Sequence, residues 1–464
     1  MITAFFPEIS LIAVSLGLIL LARRARSAGA ALAAVLPASI LAAGLALWSP
    51  VADDYARFFK ILFVANLALS ALLSARRLSE ERTPWAEYYS LLLLATVGMM
   101  IAASAHDLLM IYLGSELMAL CSYILVGIER DRPKATEAAF KYFVLGSFAS
   151  AVILYGASLT YGLTGGKLEL TAIAGALAGR SFIGEPLLAV ALALLCAGLA
   201  FKISAVPFHA WAPDAYEGAV APVAAFLAVG SKVAGFAVLG KICLVAFPYF
   251  FSAWSLLLGI LAALSMVIGS ILAMAQSNVK RMLAYSSITH AGYALLGVIG
   301  GTPADFASAA SYLFVYAFMT LGAFAVVIRL GARGEELGGY EGLAVQSPGT
   351  AALMFLFLLS LTGIPPTAGF AAKFLVFRSA LGSGHVLLAV LGVASSVISA
   401  FFYLRLAVLM YMKAPHEPAP DHPPTPVMIA LAIAAAVILL AGVFPESLSQ
   451  WGQISTSTMT FLGP

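Results

Sequence analysis

The sequence predicts an all-α, polytopic membrane fold of about fourteen transmembrane helices. Three observations predict it. Of 464 residues 62% are hydrophobic and 10% charged, against about 25% charged in an ordinary soluble domain. Apolar windows about as long as a bilayer is thick recur from one end of the chain to the other. The basic residues fall mostly into alternate gaps between those windows, as expected where Lys and Arg accumulate in cytoplasmic loops. A soluble globular protein is excluded, and the formal charge of +3 suits neither nucleic-acid binding nor a polybasic membrane-surface protein.

Taken in order, the first window, 4–22, lacks a preceding basic stretch and is followed by Arg23, Arg24 and Arg26, which predicts a retained first span rather than a cleaved signal. Further windows lie near 29–48, 58–75, 87–103, 108–127, 138–163, 187–206, 219–246, 251–274, 282–300, 306–328, 349–379, 385–411 and 425–445. Loops after odd-numbered spans hold Arg23, Arg24, Arg26, Arg76, Arg77, Arg82, Arg130, Arg132, Lys134, Lys280, Arg281, Arg329, Arg333 and Lys413. Loops after even-numbered spans hold only Arg57, Lys167 and Arg180, with Lys60 at a span edge. Both termini are therefore expected on the outer side of the membrane. The connections 164–186, 329–348 and 414–424 are too short for an independent core, so 1–464 reads as one transmembrane domain. Cys121, Cys196 and Cys243 are scattered in apolar runs, which indicates neither disulfides nor a metal or iron-sulfur site.

Five charges fall inside spans: Glu116, Lys141, Lys202, Lys232 and Lys373. A charge at the centre of a spanning helix costs roughly 2.5 to 3.5 kcal/mol, and such residues usually mark ion or proton paths. One glutamate cannot pair with four lysines. Lys141 is the weakest of the five, because Glu137 lies one helical turn before it. Lys241, Arg378 and Arg405 lie near span ends, where long side chains reach the interface. Asp107 and Glu137 stand at span starts, where a carboxylate suits the helix N-terminus.

Two lysines sit beside broken helices. Pro207, Pro213 and Pro222 interrupt the stretch after Lys202, and Gly363, Pro365, Pro366 and Gly369 interrupt the one before Lys373. Such breaks at membrane depth are tolerated only against protein or water, and matched breaks in two halves point to a transport path. Spans 4–8, about 87–247, and spans 9–13, about 251–411, each place the break in their fourth span. Five spans are an odd number, so the second unit would enter from the opposite face as an inverted repeat, flanked by spans 1–3 and 14.

Desolvation disfavours an ammonium and a nearby carboxylate restores it. An ion pair at 4 Å is worth roughly 4 kcal/mol at an effective dielectric near 20, so moving Glu116 toward or away from Lys202 would load or release a proton. His209, just past the Pro207 break, is a candidate relay. Tyr285 and His290 on span 10 are further candidates, with interface anchoring and packing as the simpler alternatives. His106, His385, His416 and His422 receive no assignment.

The segments GSELMALCSYILVGIERDRPKATEAAFKYFVLGSFASA, AFKISAVPFHAWAPDAYEGAVAPVAAFLAVGSK, NVKRMLAYSSITHAGY and GIPPTAGFAAKF resemble the antiporter-like membrane subunits of proton-pumping NADH:quinone oxidoreductase, respiratory complex I. The resemblance covers essentially the whole chain. It is nearest the N-type branch, since Lys373 stands where the M-type has glutamate and no long lateral helix follows span 14. It implies a fourteen-helix fold with an inverted repeat and a proton relay of Glu116, Lys202, Lys232 and Lys373, with Lys141, His209 and Tyr285 as further members. It also implies a translocase subunit with no redox centre and no cofactor of its own. NADH, FMN, iron-sulfur clusters and quinone would belong to partner subunits, with M-, L-, K- and J-type membrane neighbours linking it to the peripheral arm. An Mrp-like cation/proton antiporter or membrane-bound hydrogenase subunit is the alternative.

Overall fold

A computed structural model describes residues 5–21, 28–48, 53–80, 84–182, 184–415 and 425–457. Arg23, Arg24, Arg26, Arg82, His416 and His422 lie outside the described residues, as do the side chains of Arg76 and Arg77. The helices are α1 (Phe6–Leu21), α2 (Ala28–Trp48), α3 (Asp54–Glu80), α4 (Trp85–Ser104), α5 (Leu108–Val126), α6 (Pro133–Leu163), α7 (Leu170–Leu177), α8 (Pro186–Lys202), α9 (Trp211–Gly218) and α10 (Ala221–Lys241). They continue as α11 (Phe251–Met274), α12 (Val279–Leu296), α13 (Pro303–Leu330), α14 (Leu343–Gln346), α15 (Pro348–Thr362), α16 (Ala368–Gly382), α17 (Val386–Met412), α18 (Thr425–Val443) and α19 (Pro445–Thr456). Among the described residues, ten helices are long and apolar enough to cross a membrane, and α1, α8 and α15 are shorter apolar helices. Each apolar window of the sequence falls on one helix or, for 349–379, on the broken pair α15–α16.

Helix boundaries follow from local chemistry. Asp107 caps α5 by accepting from Met110 N at 2.8 Å, and Asn278 caps α12 by accepting from Arg281 N at 3.0 Å. Thr302 caps α13 in the same way, with Pro303 as the first helical residue. The segment 164–186 contains the short helix α7, whose Leu170, Ile173, Ala174 and Leu177 are buried.

Burial sorts the helices into a centre and a rim. α10 is buried along its whole length and α13 nearly so, whereas α2, α17 and α18 leave most of their surface facing outward. Lipid supplies no hydrophobic drive between helices, so close approach depends on small residues. A Cβ on Gly98 would sit 2.5 Å from Met118 N, and one on Gly114 would sit 2.6 Å from Ala102 N. α4 and α5 therefore meet backbone to backbone. At the end of the chain, α19 lies against α13, where Ser311 Oγ donates to Leu448 O at 3.1 Å.

The structure corrects several readings of the charges. Lys60, placed at a span edge by the sequence, is buried on α3 and pairs at 2.8 Å with Glu8 of α1, which is buried too. Lys280, read as a loop residue, is fully buried and pairs with Glu335 at 2.9 Å while donating to Ala219 O at 3.0 Å. Lys241, read as reaching the interface, is 4% exposed and donates to Ala105 O at 2.8 Å. Arg405 likewise turns inward, donating to Met274 O at 3.2 Å and Gln276 O at 2.5 Å.

Removing one partner of a buried ion pair leaves the other charge stranded, at a cost of about 3–5 kcal/mol, whereas removing both is far milder. Lys60→Met is therefore expected to lower the thermal stability of the detergent-solubilised protein sharply. The double variant Glu8→Gln/Lys60→Met should recover most of it in the same melting assay.

Candidate functional site

Two helix breaks organise the interior. α8 stops at Lys202, Ser204 takes a positive φ of 58°, and the chain crosses residues 205–210 before α9 resumes. A helix end leaves its last carbonyls without intrahelical partners, and the surrounding side chains take them up. Trp211 Nε1 donates to Phe201 O at 2.9 Å, and Lys232 Nζ, from the middle of α10, donates to Ile203 O at 2.9 Å. The second break follows the same logic. α15 ends at Thr362, Gly363 takes φ 87°, and Lys373 Nζ reaches back from α16 to Thr362 O at 2.8 Å. A side chain on Gly363 would meet Lys373 Cδ at 2.8 Å, so glycine leaves room for that return.

Lys373 begins a polar chain directed toward the centre. Its Nζ donates to Ser396 Oγ at 3.2 Å and lies 4.5 Å from the centroid of the Tyr293 ring. The Tyr293 hydroxyl contacts Ser396 at 3.1 Å and Ser395 at 2.9 Å. Next to Tyr293 stands His290, edge-on at 5.5 Å between centroids. Its Nδ1 meets Tyr312 Oη at 2.5 Å and its Nε2 meets Tyr403 Oη at 3.2 Å, while Tyr403 is bonded to Ser286. The ring of Tyr316 lies 5.6 Å from His290, and the Tyr316 hydroxyl donates to Ala228 O at 2.9 Å, one turn from Lys232 on α10. The interval between Lys232 and Lys373 is thus filled by aromatic hydroxyls and one buried imidazole. The sequence offered His290 only as a candidate beside a packing role, and Tyr293, Tyr312, Tyr316 and Tyr403 were not singled out. Their signal was weak, because tyrosines in spans commonly anchor at interfaces.

Glu116 and Lys202 lie on the other side of Lys232. The Glu116 carboxylate, half-buried on α5, accepts a hydrogen bond from Ser150 of α6. Lys202 is 6% exposed, and its Nζ has no hydrogen-bond partner among the described residues. No ion pair within 4 Å joins the two among the described residues, so the structure holds them in a separated arrangement. Lys232 and Lys373 are buried as well, and no carboxylate lies within 4 Å of either among the described residues.

Lys141 does not join this interior. Its side chain is 46% exposed and pairs with Glu137 at 2.7 Å and Asp214 at 3.1 Å. The face of α6 that carries it turns toward α9, and together with Lys134, Glu217 and Arg281 it lines a charged cavity of about 270 Å³. Arg281 binds Asp214 at 2.7 Å and Glu217 at 3.0 Å, and its guanidinium lies 5.9 Å from the Tyr285 ring centroid. Tyr285 in turn is 6.5 Å from the His209 ring, whose Nδ1 is buried and has no hydrogen-bond partner among the described residues. The structure therefore brings Lys141, Tyr285 and His209 into one neighbourhood, running from the charged cavity to the first break. Among the described residues no group of three or more His, Cys, Asp or Glu could hold a metal ion, and the three cysteines are free and buried.

A family model described as NADH:quinone oxidoreductase/Mrp antiporter, TM, matches residues 105–399. The chain is 45% identical over 449 residues to NADH-quinone oxidoreductase subunit N of Desulfovibrio desulfuricans, covering 92% of this chain and 89% of that one. It is similar to a chain of respiratory complex I from Thermus thermophilus, at 33% identity and a TM-score of 0.83, covering 96% of this chain and 99% of that one. A chain of the Mrp complex from Dietzia sp. shares the fold at a TM-score of 0.85 and 21% identity, covering 99% and 98%. The chain belongs to the NADH:quinone oxidoreductase/Mrp antiporter transmembrane family and, within it, to the subunit N group of NADH-quinone oxidoreductase.

Proposed function

We propose that the chain is a proton-translocating membrane subunit of NADH:quinone oxidoreductase, without a redox centre, that moves protons through Glu116, Lys202, Lys232 and Lys373. The observation that carries this reading is the pair of helix breaks, each offering a carbonyl to a buried lysine, joined by the hydroxyl and imidazole chain between Lys232 and Lys373. NADH oxidation and quinone reduction take place on FMN, iron-sulfur clusters and quinone in partner subunits. M-, L-, K- and J-type membrane subunits connect this chain to them. The chain spans the cell inner membrane with both termini outside.

Two inverted five-helix units, about 87–247 and 251–411, frame the path. Several paired details support that arrangement. Asp107 and Asn278 cap the second helix of each unit, and each also bridges to a later connection, at Glu169 and Glu336 respectively. The fourth helix of each unit is the broken one, α8–α9 in the first and α15–α16 in the second.

The geometry supplies a switch. In the separated arrangement Glu116 is held by Ser150, and among the described residues the Lys202 ammonium has neither a hydrogen-bond partner nor an ion pair within 4 Å. A carboxylate brought to 4 Å would stabilise that ammonium by roughly 4 kcal/mol at an effective dielectric near 20. Approach of Glu116 thus loads Lys202, and its return to Ser150 makes Lys202 a donor toward Lys232. From Lys232 the proton proceeds by Tyr316, His290 and Tyr293 to Ser396 and Lys373. The charged cavity lined by Lys141 and Arg281 forms the inner mouth, with Tyr285 and His209 leading from it to the first break.

Lys232→Ala is expected to leave assembly intact while lowering proton uptake by membrane vesicles per NADH oxidised. Undiminished uptake would remove Lys232 from the path. Glu116→Gln keeps the Ser150 contact but loses the charge, and where pumping and quinone reduction are tightly coupled it should slow both, on the order of tenfold for each 1.4 kcal/mol of lost stabilisation. A tagged copy should copurify with NADH:quinone reductase activity. Recovery in an assembly that exchanges monovalent cations for protons without that activity would favour the antiporter alternative.

A further inference from the structure

The fifth helix of each proposed unit reaches back to the end of the first. In one unit Lys241 of α10 donates to Ala105 O, just past α4, at 2.8 Å. In the other Arg405 of α17 donates to Met274 O and Gln276 O at the end of α11, at 3.2 and 2.5 Å. Both latches satisfy carbonyls that a helix end leaves unpaired. Arginine suits a latch well, since its donors form a fixed fork and its charge is permanent. Lysine at the corresponding place is a different chemical choice, because an ammonium can give up its proton.

The surroundings differ in the same sense. Lys241 is 4% exposed, and its Nζ lies 5.3 Å from the Tyr55 ring centroid. Among the described residues it has no ion pair within 4 Å, but Asp53 stands within electrostatic reach, opposed by Lys60. Asp53 in turn faces His106, with Oδ2 at 3.7 Å from Nε2, and the His106 side chain is 72% exposed. A buried ammonium, a partly buried carboxylate and an exposed imidazole therefore follow one another from the end of α10 to the surface. Around Arg405 the hydrogen-bond partners are backbone carbonyls alone, and no ion pair involves it among the described residues.

We infer that Lys241 is a proton-exchange site at the outer end of α10, handing protons through Asp53 and His106 to the outer solution. The inference rests on the proposed path through Lys232, which lies nine residues earlier on the same helix, about 13 Å along its axis. Tyr55, whose hydroxyl donates to Ala237 O one turn inside Lys241, occupies the interval. On an outward branch from Lys232, separate from the onward route to Lys373, the neutral amine of Lys241 gains one proton from the Lys232 side. The ammonium then passes one proton to the Asp53 carboxylate or the His106 imidazole, which releases it to water and regains its starting form. The charged and titratable groups facing His106 are Lys241 from α10, Asp53 from the start of α3, Asp107 at the start of α5 and Glu169 before α7. Burial and then the Lys241 ammonium hold its imidazole below the ordinary 6.5, against the pull of the three carboxylates.

The test uses the assembled complex in sealed vesicles, with proton translocation per NADH oxidised as the readout. Lys241→Arg preserves a latch and a charge but cannot release a proton. It is expected to assemble and to lower translocation as far as Lys232→Ala does, while Arg405→Lys stays at the wild-type value. Wild-type translocation in Lys241→Arg, with Lys232→Ala impaired, would reduce Lys241 to a latch and overturn the inference alone. Normal translocation in Lys232→Ala would overturn the path and this inference with it. Should Lys241→Arg fail to assemble, His106→Gln, altered at an exposed side chain, decides the matter. In the wild type, translocation should fall as the outer pH drops below the ordinary histidine range and the imidazole ceases to accept. His106→Gln should lack that inflection, and an unchanged pH profile would overturn the inference.

Discussion

Four buried lysines of this protein share one interaction, an ammonium hydrogen-bonded to the carbonyl at the C-terminal end of a helix. Lys232 takes Ile203 O after α8, Lys373 takes Thr362 O at the end of α15, Lys241 takes Ala105 O after α4, and Lys280 takes Ala219 O after α9. Each contact meets two needs together. In lipid a terminal carbonyl must find an internal partner, and a buried ammonium must find acceptors. The negative end of the helix dipole adds to the attraction. Helices that stop within the membrane are stable here because lysines cover their ends.

What separates these lysines is whether a carboxylate is also present. Lys280 has Glu335 and Lys60 has Glu8, each at ion-pair distance, and a paired charge of that kind is fixed in place. For Lys202, Lys232, Lys241 and Lys373 no carboxylate lies within 4 Å among the described residues. Lys202 has no hydrogen-bond partner among the described residues, and in the other three a carbonyl accepts from the ammonium without neutralising it, so their charge stays open to influence from a nearby carboxylate. Glu116, which accepts from Ser150 on the adjacent α6, takes that part for Lys202 in the proposed switch.

The spans and both breaks were legible because they depend on local pattern, namely apolar windows and clustered Pro and Gly. Lys202, Lys232 and Lys373 were legible for the same reason, since a lysine inside an apolar run has few innocent explanations. Lys241 and Lys280 were not. At a span end the sequence is the same whether the side chain extends to the interface or turns inward, and only the partner carbonyl, in Lys241 one 136 residues away, decides. Glu8 depends likewise on a partner 52 positions further along the sequence, on another helix. Lys141 was legible in part. The Glu137 pair one turn before it is present at 2.7 Å, but its second partner, Asp214 at 3.1 Å, lies on another helix, which linear spacing does not encode.

The exposed position of Lys141 sharpens how the two ends of the proposed path differ. Lys134, Lys141 and Arg281 face Glu137, Asp214 and Glu217 around an open cavity, the proposed inner mouth, where positive and negative charges balance and remain partly exposed. Such pairs are individually weak in a solvated setting, which suits groups that exchange protons with water without trapping them. Away from this cavity the charges become sparse and buried: Lys232, Lys241 and Lys373 are each held by a carbonyl, and Lys202 has no hydrogen-bond partner among the described residues. Passage from balanced, solvated charge to isolated, carbonyl-held charge raises the cost of a bare ammonium step by step, and the proton is retained only where a neighbouring group offsets that cost. On the proposed path, a chain with so few charges directs a proton by the placement of helix ends, because those ends decide where an ammonium can stand.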